Sequence, residues 1–321
     1  MILVVSAAHD GHATAVLKVL AEQGAPATLL DLSHFPQELA LTVAFPTGAP
    51  ASLALAGSPL GTLDLAQCGA LWWRRPQPFG LHAALARPSH RAFAYNEIAE
   101  TWAGLWHLLD PYWVNHPVRT ETASRKLYQL RVAQQVGLTI PATLVSNDPE
   151  QVRHFVESCG VAETIYKTFS ATQEEWRETR LLRRDEVELL DNVRYAPSIF
   201  QEYIPAVYDL RITVVGDTIF PAAIYSQETA YPYDFRMDIA NARIKAVDLP
   251  AEVNERLLAL MAQLGLAYGA IDMRLTPAGQ YVFLEINPAG QWLFVENASG
   301  QPITACLATL LATEDQRRGA H

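Results

Sequence analysis

The chain has 321 residues, 50% of them hydrophobic, with 24 Lys and Arg against 34 Asp and Glu and a net charge of −10. That length supports a sizeable core, and the acidic balance argues against a dedicated nucleic-acid binder, which needs clustered Lys and Arg against phosphate. No stretch approaches the ~20 uninterrupted apolar residues of a membrane-spanning helix. Cys68, Cys159 and Cys306 lack the paired spacing of a metal site and read as reduced thiols of a cytoplasmic protein.

Residues 1–6 are apolar but lack a basic flank and are too short for a signal segment, so they read as a strand over 2–5. A helical pattern over 14–23 ends at Gly24 and a second strand covers 27–32, an order that favours a small parallel sheet. His9, Gly11 and His12 lie in the first loop, at the strand end where α/β sheets often take ligands. Residues 45–61 are rich in Pro, Ala, Gly and Ser and read as a loop or an irregular hairpin. Leu71-Trp72-Trp73-Arg74-Arg75-Pro76 is a strand that ends in two arginines and is stopped by proline. Arg74 and Arg75 are candidates for gripping substrate carboxylates, because guanidinium matches carboxylate in two-pronged fashion; the alternative is a pair of solvated charges. A helix over 93–109 carries Trp102, Leu105, Trp106 and Leu109 at core spacing, and Tyr112-Trp113-Val114-Asn115 returns as a strand.

A helix over 120–136, closed by Gly137, carries Lys126, and a strand over 164–170 carries Lys167. Residues 174–192 alternate in charge and read as a partly exposed helix. In the strand Asp209-Leu210-Arg211-Ile212, alternation puts Asp209 and Arg211 on one face, as chemical groups or as a structural ion pair. A helix over 251–264 leads through Gly265 to a hairpin, an apolar helix over 303–311 follows, and the polar tail 313–321 reads as frayed.

The hairpin carries the chemistry. If Pro277-Ala278-Gly279-Gln280 is its loop, Thr276 faces Tyr281 and Asp272 faces Glu285. Period-two alternation then places Asp272, Arg274, Phe283, Glu285 and Asn287 on one face, and Ile271, Met273, Leu275, Val282, Leu284 and Ile286 on the other. Two carboxylates directly opposite, roughly 4.5–5.5 Å apart, repel unless a cation offsets them. Mg²⁺ suits Asp272, Glu285 and Asn287, because it is a hard ion that takes carboxylate and amide oxygens. The alternative is that Arg274 neutralises both acids in a structural cluster.

An Asp on one strand followed by Glu-x-Asn-Pro on the next resembles the Mg²⁺–ATP site of ATP-grasp carboxylate ligases. The run Phe283-Leu284-Glu285-Ile286-Asn287-Pro288-Ala289-Gly290-Gln291-Trp292 is similar to the branch that builds ester and amide macrocycles into microviridin-type ribosomal peptides, the graspetides. The resemblance runs in order along almost the whole chain. It implies an ATP-grasp fold of mixed α/β and α+β class: an N-terminal α/β domain over 1–118, a small central lid subdomain over 119–200 and a C-terminal α+β domain over 201–321. It implies that Lys126 and Lys167 contact nucleotide phosphates, that Gln201, Glu202, Tyr203 and Ile204 form the hinge against adenine, and that Asp209 binds near the ribose. Arg211 would act on the acyl-phosphate, and Arg236 in Tyr233-Asp234-Phe235-Arg236 on the acyl-phosphate or the substrate carboxylate. Asn241 is a further phosphate candidate. Glu186, Glu188 and Asp191 are candidate contacts to the leader segment of a precursor peptide, or else solvated charges.

The chain departs from the family pattern in two places. Phe235 stands where tryptophan is commoner, and Thr168-Phe169-Ser170-Ala171-Thr172-Gln173 has no glycine where many of these enzymes wrap phosphate in a glycine-rich loop. The implied activity is ATP-dependent phosphorylation of Asp or Glu side chains in a precursor peptide, followed by attack of Ser or Thr hydroxyls or Lys amines. The alternatives are a ligase that appends a free amino acid, as ribosomal-protein glutamate ligases do, and a nucleotide-dependent binding protein that has lost catalysis. ATP and Mg²⁺ are the implied cofactors and the precursor peptide the implied partner, with neither nucleic acid nor membrane expected. Relatives raise a homodimer, although no stretch announces an interface.

Overall fold

The computed structural model describes residues 1–58, 60–169, 180–231, 233 and 235–319. The opening apolar run forms β1 (Ile2–Ser6), buried throughout. Asp10 caps α1 (Gly11–Glu22), its carboxylate accepting from the backbone amides of His12 and Ala13. After β2 (Ala27–Leu30), a stretch expected to be irregular contributes to a meander of β3 (Leu39–Ala44), β4 (Ser52–Gly57) and β5 (Gly61–Asp64). Leu39, Leu53 and Leu55 anchor it, and the small residues around them had masked the alternation. Next come β6 (Ala70–Arg75), α2 (Pro88–Leu108) and β7 (Tyr112–Val114), which complete a parallel sheet in the order β2-β1-β6-β7. Helix α2 begins earlier than the apolar pattern indicated, because proline suits a first helical turn.

The helix expected over 120–136 is two helices, α3 (Pro117–Ala123) and α4 (Lys126–Gln135). Gln129 stitches the break: its side chain donates to Ala123 O at 2.6 Å and to Ile286 O at 2.8 Å, and accepts from Ile286 N at 3.1 Å. The break puts Lys126 in the first turn of α4, facing the hairpin. A second unit follows, made of β8 (Thr143–Ser146), α5 (Pro149–Cys159), β9 (Thr164–Lys167), β10 (Arg180–Leu181) and β11 (Ser198–Glu202). Its sheet is antiparallel in the order β10-β9-β11-β8. Val152 and Val156 of α5, with Leu190 and Val193 of the 3₁₀ segment Arg184–Tyr195, pack against Phe200.

The third sheet is antiparallel in the order β14-β13-β12-β15-β16. Its strands are β12 (Tyr208–Val215), β13 (Thr218–Ile224), β14 (Ile244–Ala246), β15 (Tyr268–Leu275) and β16 (Tyr281–Asn287). Between β14 and β15, α6 (Ala251–Leu264) buries Leu257, Leu260 and Leu264 against Ile212 and Ile271. It ends at Gly265, whose φ of +68° costs glycine nothing sterically. Helices α7 (Leu293–Ser299) and α8 (Ile303–Gly319) close the chain. Residues 313–319 of the tail expected to fray are helical, and buried Asp315 among them accepts from the Met1 amino group at 2.7 Å; residues 320–321 lie outside the described residues. Ile303, Leu307 and Leu311 of α8 share one core with Ile2, Val4, Val16 and Leu20, so the two ends of the chain pack as a unit.

In the hairpin Asp272 does face Glu285, but by another route. Leu275, not Thr276, lies opposite Tyr281, and a bulge at Leu284 restores the register. Phe283 therefore pairs with Met273 and joins the core with Ile271 instead of the chemical face, and Val282 comes opposite Arg274.

Candidate active site

Two rungs of opposite charge cross the third sheet. Arg211 on β12 lies opposite Asp272 on β15, and its Nη1 donates to Asp272 Oδ1 at 2.8 Å. Two residues away Asp209 lies opposite Arg274, whose Nε donates to Asp209 Oδ1 at 2.7 Å. Each acid thus meets a base on the neighbouring strand, the favourable arrangement for charges directly opposite. Arg274 serves Asp209 in this arrangement, instead of the cluster with Asp272 and Glu285. Ser226 Oγ donates to the other oxygen of Asp209, and Arg274 Nη1 donates to Ile204 O at 2.8 Å, so the ladder is tied to the end of β11 and the residues just after it. Asp209 is only 4% exposed and both its oxygens are engaged.

Asp272 and Glu285 are driven apart in acidity. Burial raises the pKa of Asp272; Arg211 opposes that shift and Glu285 adds to it. Burial also works against ionised Glu285, but the ammonium groups of Lys126 and Lys167 prevail and hold it down at about 2. Lys126 Nζ donates to Glu285 Oε2 at 2.5 Å. Lys167 Nζ donates to Gln201 Oε1 at 2.6 Å. Burial lowers the Lys167 pKa to about 8, Glu285 resisting and Lys126, Arg274 and Arg236 assisting.

Among the described residues no three His, Cys, Asp or Glu side chains form a metal-holding group; the candidate set here is two carboxylates and an amide. These donors fit Mg²⁺, all being hard oxygens. Asn287 is exposed, with its Oδ1 accepting from Ala289 N at 2.9 Å. Arg211 Nε is buried and has no hydrogen-bond partner among the described residues, a donor left over beside these acids.

The residues expected to form the hinge lie next to this site. Gln201 is buried and bonds Thr143 as well as Lys167. Glu202 is exposed and accepts from Ala142 N at 3.2 Å, Tyr203 N donates to Glu163 O, and Arg274 lies 5.2 Å over the Tyr203 ring. Exposed Arg236 lends its charge to Lys167, Asp272 and Glu285. Asp234 and residues 170–173 of the glycine-free loop lie outside the described residues. Asn241 is exposed and donates to Asp238 at 2.6 Å.

Of the substrate candidates, Arg75 is exposed whereas Arg74 is 1% exposed and donates to Ala289 O at 2.5 Å and Gly290 O at 2.8 Å. In the second unit Glu186 is gripped by Arg180 at 2.6 and 2.5 Å, and these hydrogen bonds hold its pKa at about 2. Asp191 pairs with Arg153 at 2.5 Å, and Glu188 is exposed. A cavity of about 220 Å³ opens beside them, lined by Tyr166, Arg180, Leu189 and Phe200. Sequence reasoning missed Gln129, Asn115, Tyr268 and Ser226, all polar residues within apolar or unremarkable runs. The one signal available was Asn115, a lone amide ending the strand Tyr112-Trp113-Val114.

A family model described as the RimK-like ATP-grasp domain matches residues 123–311. The chain belongs to the RimK-like ATP-grasp family. It is an ATP-grasp ligase, and ATP-grasp ligases use ATP and Mg²⁺. Residues 1–121 match a model described as the MvdD pre-ATP grasp domain. Among ATP-grasp structures, the chain resembles the macrocyclase MdnC bound with precursor peptide MdnA from Microcystis aeruginosa MRC. Identity is 31%, coverage 97% of this chain and 99% of that one, and the TM-score 0.84. It also resembles a RiPP-associated ATP-grasp ligase of Chryseobacterium gregarium in complex with ADP and a leader and core peptide. Here identity is 27%, coverage 98% and 96%, and the TM-score 0.89. A probable alpha-L-glutamate ligase 1 of Hahella chejuensis is 22% identical over 211 residues, 64% of this chain and 68% of that protein. Among the described residues no helix is long and apolar enough to cross a membrane.

Proposed function

We propose that the protein uses ATP to phosphorylate Asp or Glu side chains of a ribosomal precursor peptide, held in part by its leader segment, and joins them to Ser or Thr hydroxyls or Lys amines as macrocyclic esters or amides. The observation that carries this reading is the match of residues 1–121 to the MvdD pre-ATP grasp domain. Beside it stands the likeness, at TM-scores of 0.84 and 0.89, to two ligases solved with peptides bound.

In this mechanism a substrate carboxylate oxygen attacks the γ-phosphorus of ATP, the bond to the β-phosphate oxygen breaks, and ADP leaves an acyl-phosphate. A hydroxyl or amine then attacks the acyl carbon, loses its proton and expels inorganic phosphate. Lys126 and Lys167 offset phosphate charge, Lys167 remaining largely protonated at neutral pH because its pKa stays at about 8. Arg211, braced by Asp272 and by Gln291 O at 3.0 Å, presents a fixed cation to the charge that develops on the transferring group. Arg236 adds a second cation. Asp272, Glu285 and Asn287 would hold Mg²⁺, which would supply Lewis-acid stabilisation of phosphate charge. Exposed Arg75 would take an acidic side chain of the peptide, and Glu186, Glu188 and Asp191 would meet its leader.

The test is to co-express the protein with a short acidic peptide encoded beside its gene and weigh the peptide. Loss of water that disappears in Glu285→Ala supports the proposal. A gain of amino-acid mass instead would favour the second reading, to which the glutamate-ligase likeness points, and near-normal turnover by Glu285→Ala would sink the metal assignment.

A further inference from the structure

The loop that leaves the hairpin, residues 288–292, is held almost entirely by side chains from elsewhere. Asn115 Nδ2 donates to Pro288 O at 3.1 Å. Arg74 Nη1 donates to Ala289 O at 2.5 Å, and Gly290 O receives both Arg74 Nη1 at 2.8 Å and Tyr268 Oη at 2.9 Å. Gln291 O receives Arg211 Nη2 at 3.0 Å. The next two amides, of Trp292 and Leu293, both donate to His12 Nε2, at 3.1 and 3.3 Å. Four consecutive carbonyls and two amides are therefore accounted for, and Asn115, Arg74 and His12 all come from the first unit. A carbonyl or amide run in a loop has no ladder of its own and must be paired from outside when buried.

The grip leaves no slack. Gly290 lies so close to its neighbours that a Cβ there would run into Ala270 Cβ and come within 3.0 Å of Arg211 Nη2. The clamp residues are themselves braced: Arg74 Nε is 3.5 Å from Asp10 Oδ2, its guanidinium carbon is 5.3 Å from the Trp292 ring centroid, and the His12 ring meets Trp292 edge to face at 4.6 Å. Asn115 uses every hydrogen-bonding position it has, donating also to Tyr268 O and accepting from Ala267 N and Tyr268 N, so it fixes the start of β15 together with the end of β16.

We infer that His12, Arg74 and Asn115 are positioning residues of the ligase: through the loop 288–292 they set where Asn287 and Arg211 stand relative to Asp272 and Glu285. Asn287 is one residue from the first clamped carbonyl, and Arg211 is held by Gln291 O on one side and Asp272 on the other. The first unit thus completes the metal and phosphate site of the third sheet. Groups that orient metal ligands from behind typically change metal affinity by ~10–100-fold when removed. The inference rests on the metal assignment made above, and the experiment separates the two.

Mn²⁺ replaces Mg²⁺ as a paramagnetic probe, and its binding is titrated by electron paramagnetic resonance in the presence of ADP, with thermal unfolding recorded alongside. Wild type should bind Mn²⁺ with ADP. His12→Leu and Arg74→Met should bind it at least about tenfold more weakly. His12→Gln, whose amide oxygen can replace Nε2 as acceptor, should recover most of the loss, and Arg74→Lys, a folded-state control that keeps one cation for the carbonyls, should fall between Arg74→Met and wild type. Wild-type affinity in folded His12→Leu and Arg74→Met, or equal weakening by His12→Gln and His12→Leu, overturns the inference alone. Failure of wild type to bind Mn²⁺ with ADP overturns the metal assignment and this inference with it.

Discussion

Replacing Arg211 with Met isolates the charge ladder. Arg211 is 7% and Asp272 9% exposed, and they meet at 2.8 Å, so the substitution strands a carboxylate with little access to water. Removing one partner of a buried pair costs about 3–5 kcal/mol, and Gln291 O loses its donor as well. Asp272 has one escape, which is to take up a proton. Its pKa is already raised by burial, and without Arg211 it rises further. A carboxyl group raised in the folded state favours folding at low pH and loses that contribution as pH rises through the folded pKa. The penalty of Arg211→Met should therefore be smaller at pH 5 than at pH 7. Combining it with Asp272→Asn removes the stranded charge, so the double variant should be more stable than the sum of the single losses by at least about 1 kcal/mol. Urea unfolding of the four proteins at both pH values measures all of this. A loss below about 1 kcal/mol for Arg211→Met at pH 7, or additivity with Asp272→Asn, would show that the ladder is not buried as a coupled pair.

Two other outcomes follow from the same electrostatics. Lys126→Met removes the ammonium 2.5 Å from Glu285, so the Glu285 pKa should rise from about 2 and ADP release with peptide present should fall by roughly 10²-fold or more; near-normal ADP release would discard the phosphate role. His12 is held from its ordinary 6.5 down to about 4 by burial first and then by Arg74, with Arg75 and Arg211 assisting and Asp10 opposing. The unfolded chain binds a proton there that the folded chain refuses, so stability should be intact above 6.5 and decline as pH falls towards 4. Thermal unfolding of His12→Gln should lose that part of the pH dependence, and a curve parallel to wild type would remove His12 from the account.

How much was legible depended on how far apart in sequence the interacting groups lie. Asp272 and Glu285 meet across a tight hairpin, where counting along two strands suffices, yet even there the count erred at the turn and the bulge at Leu284 cancelled the error. Phe283 shows the cost, since the same bulge moved it from the face counted for it to the core. The break between α3 and α4 was unreadable because its cause is Gln129 bonding to Ile286, far along the chain. Arg74 looked like a solvated or substrate-binding charge at a strand end, and only the carbonyls of Ala289 and Gly290, over two hundred residues later, explain why it is buried.

The sequence alone indicated β1, β2, β6, α6 and the alternation that gathers acids on one side of the hairpin, signals written in short-range periodicity and spacing. The ordered lysine, hinge and hairpin motifs added a resemblance to ATP-grasp ligases. Tertiary structure decided which charges pair, Arg211 with Asp272 and Asp209 with Arg274, and which residues clamp the loop 288–292. Pairing between distant strands depends on register and on how separate sheets pack. No local pattern encodes these, because they follow from burying all the apolar faces at once.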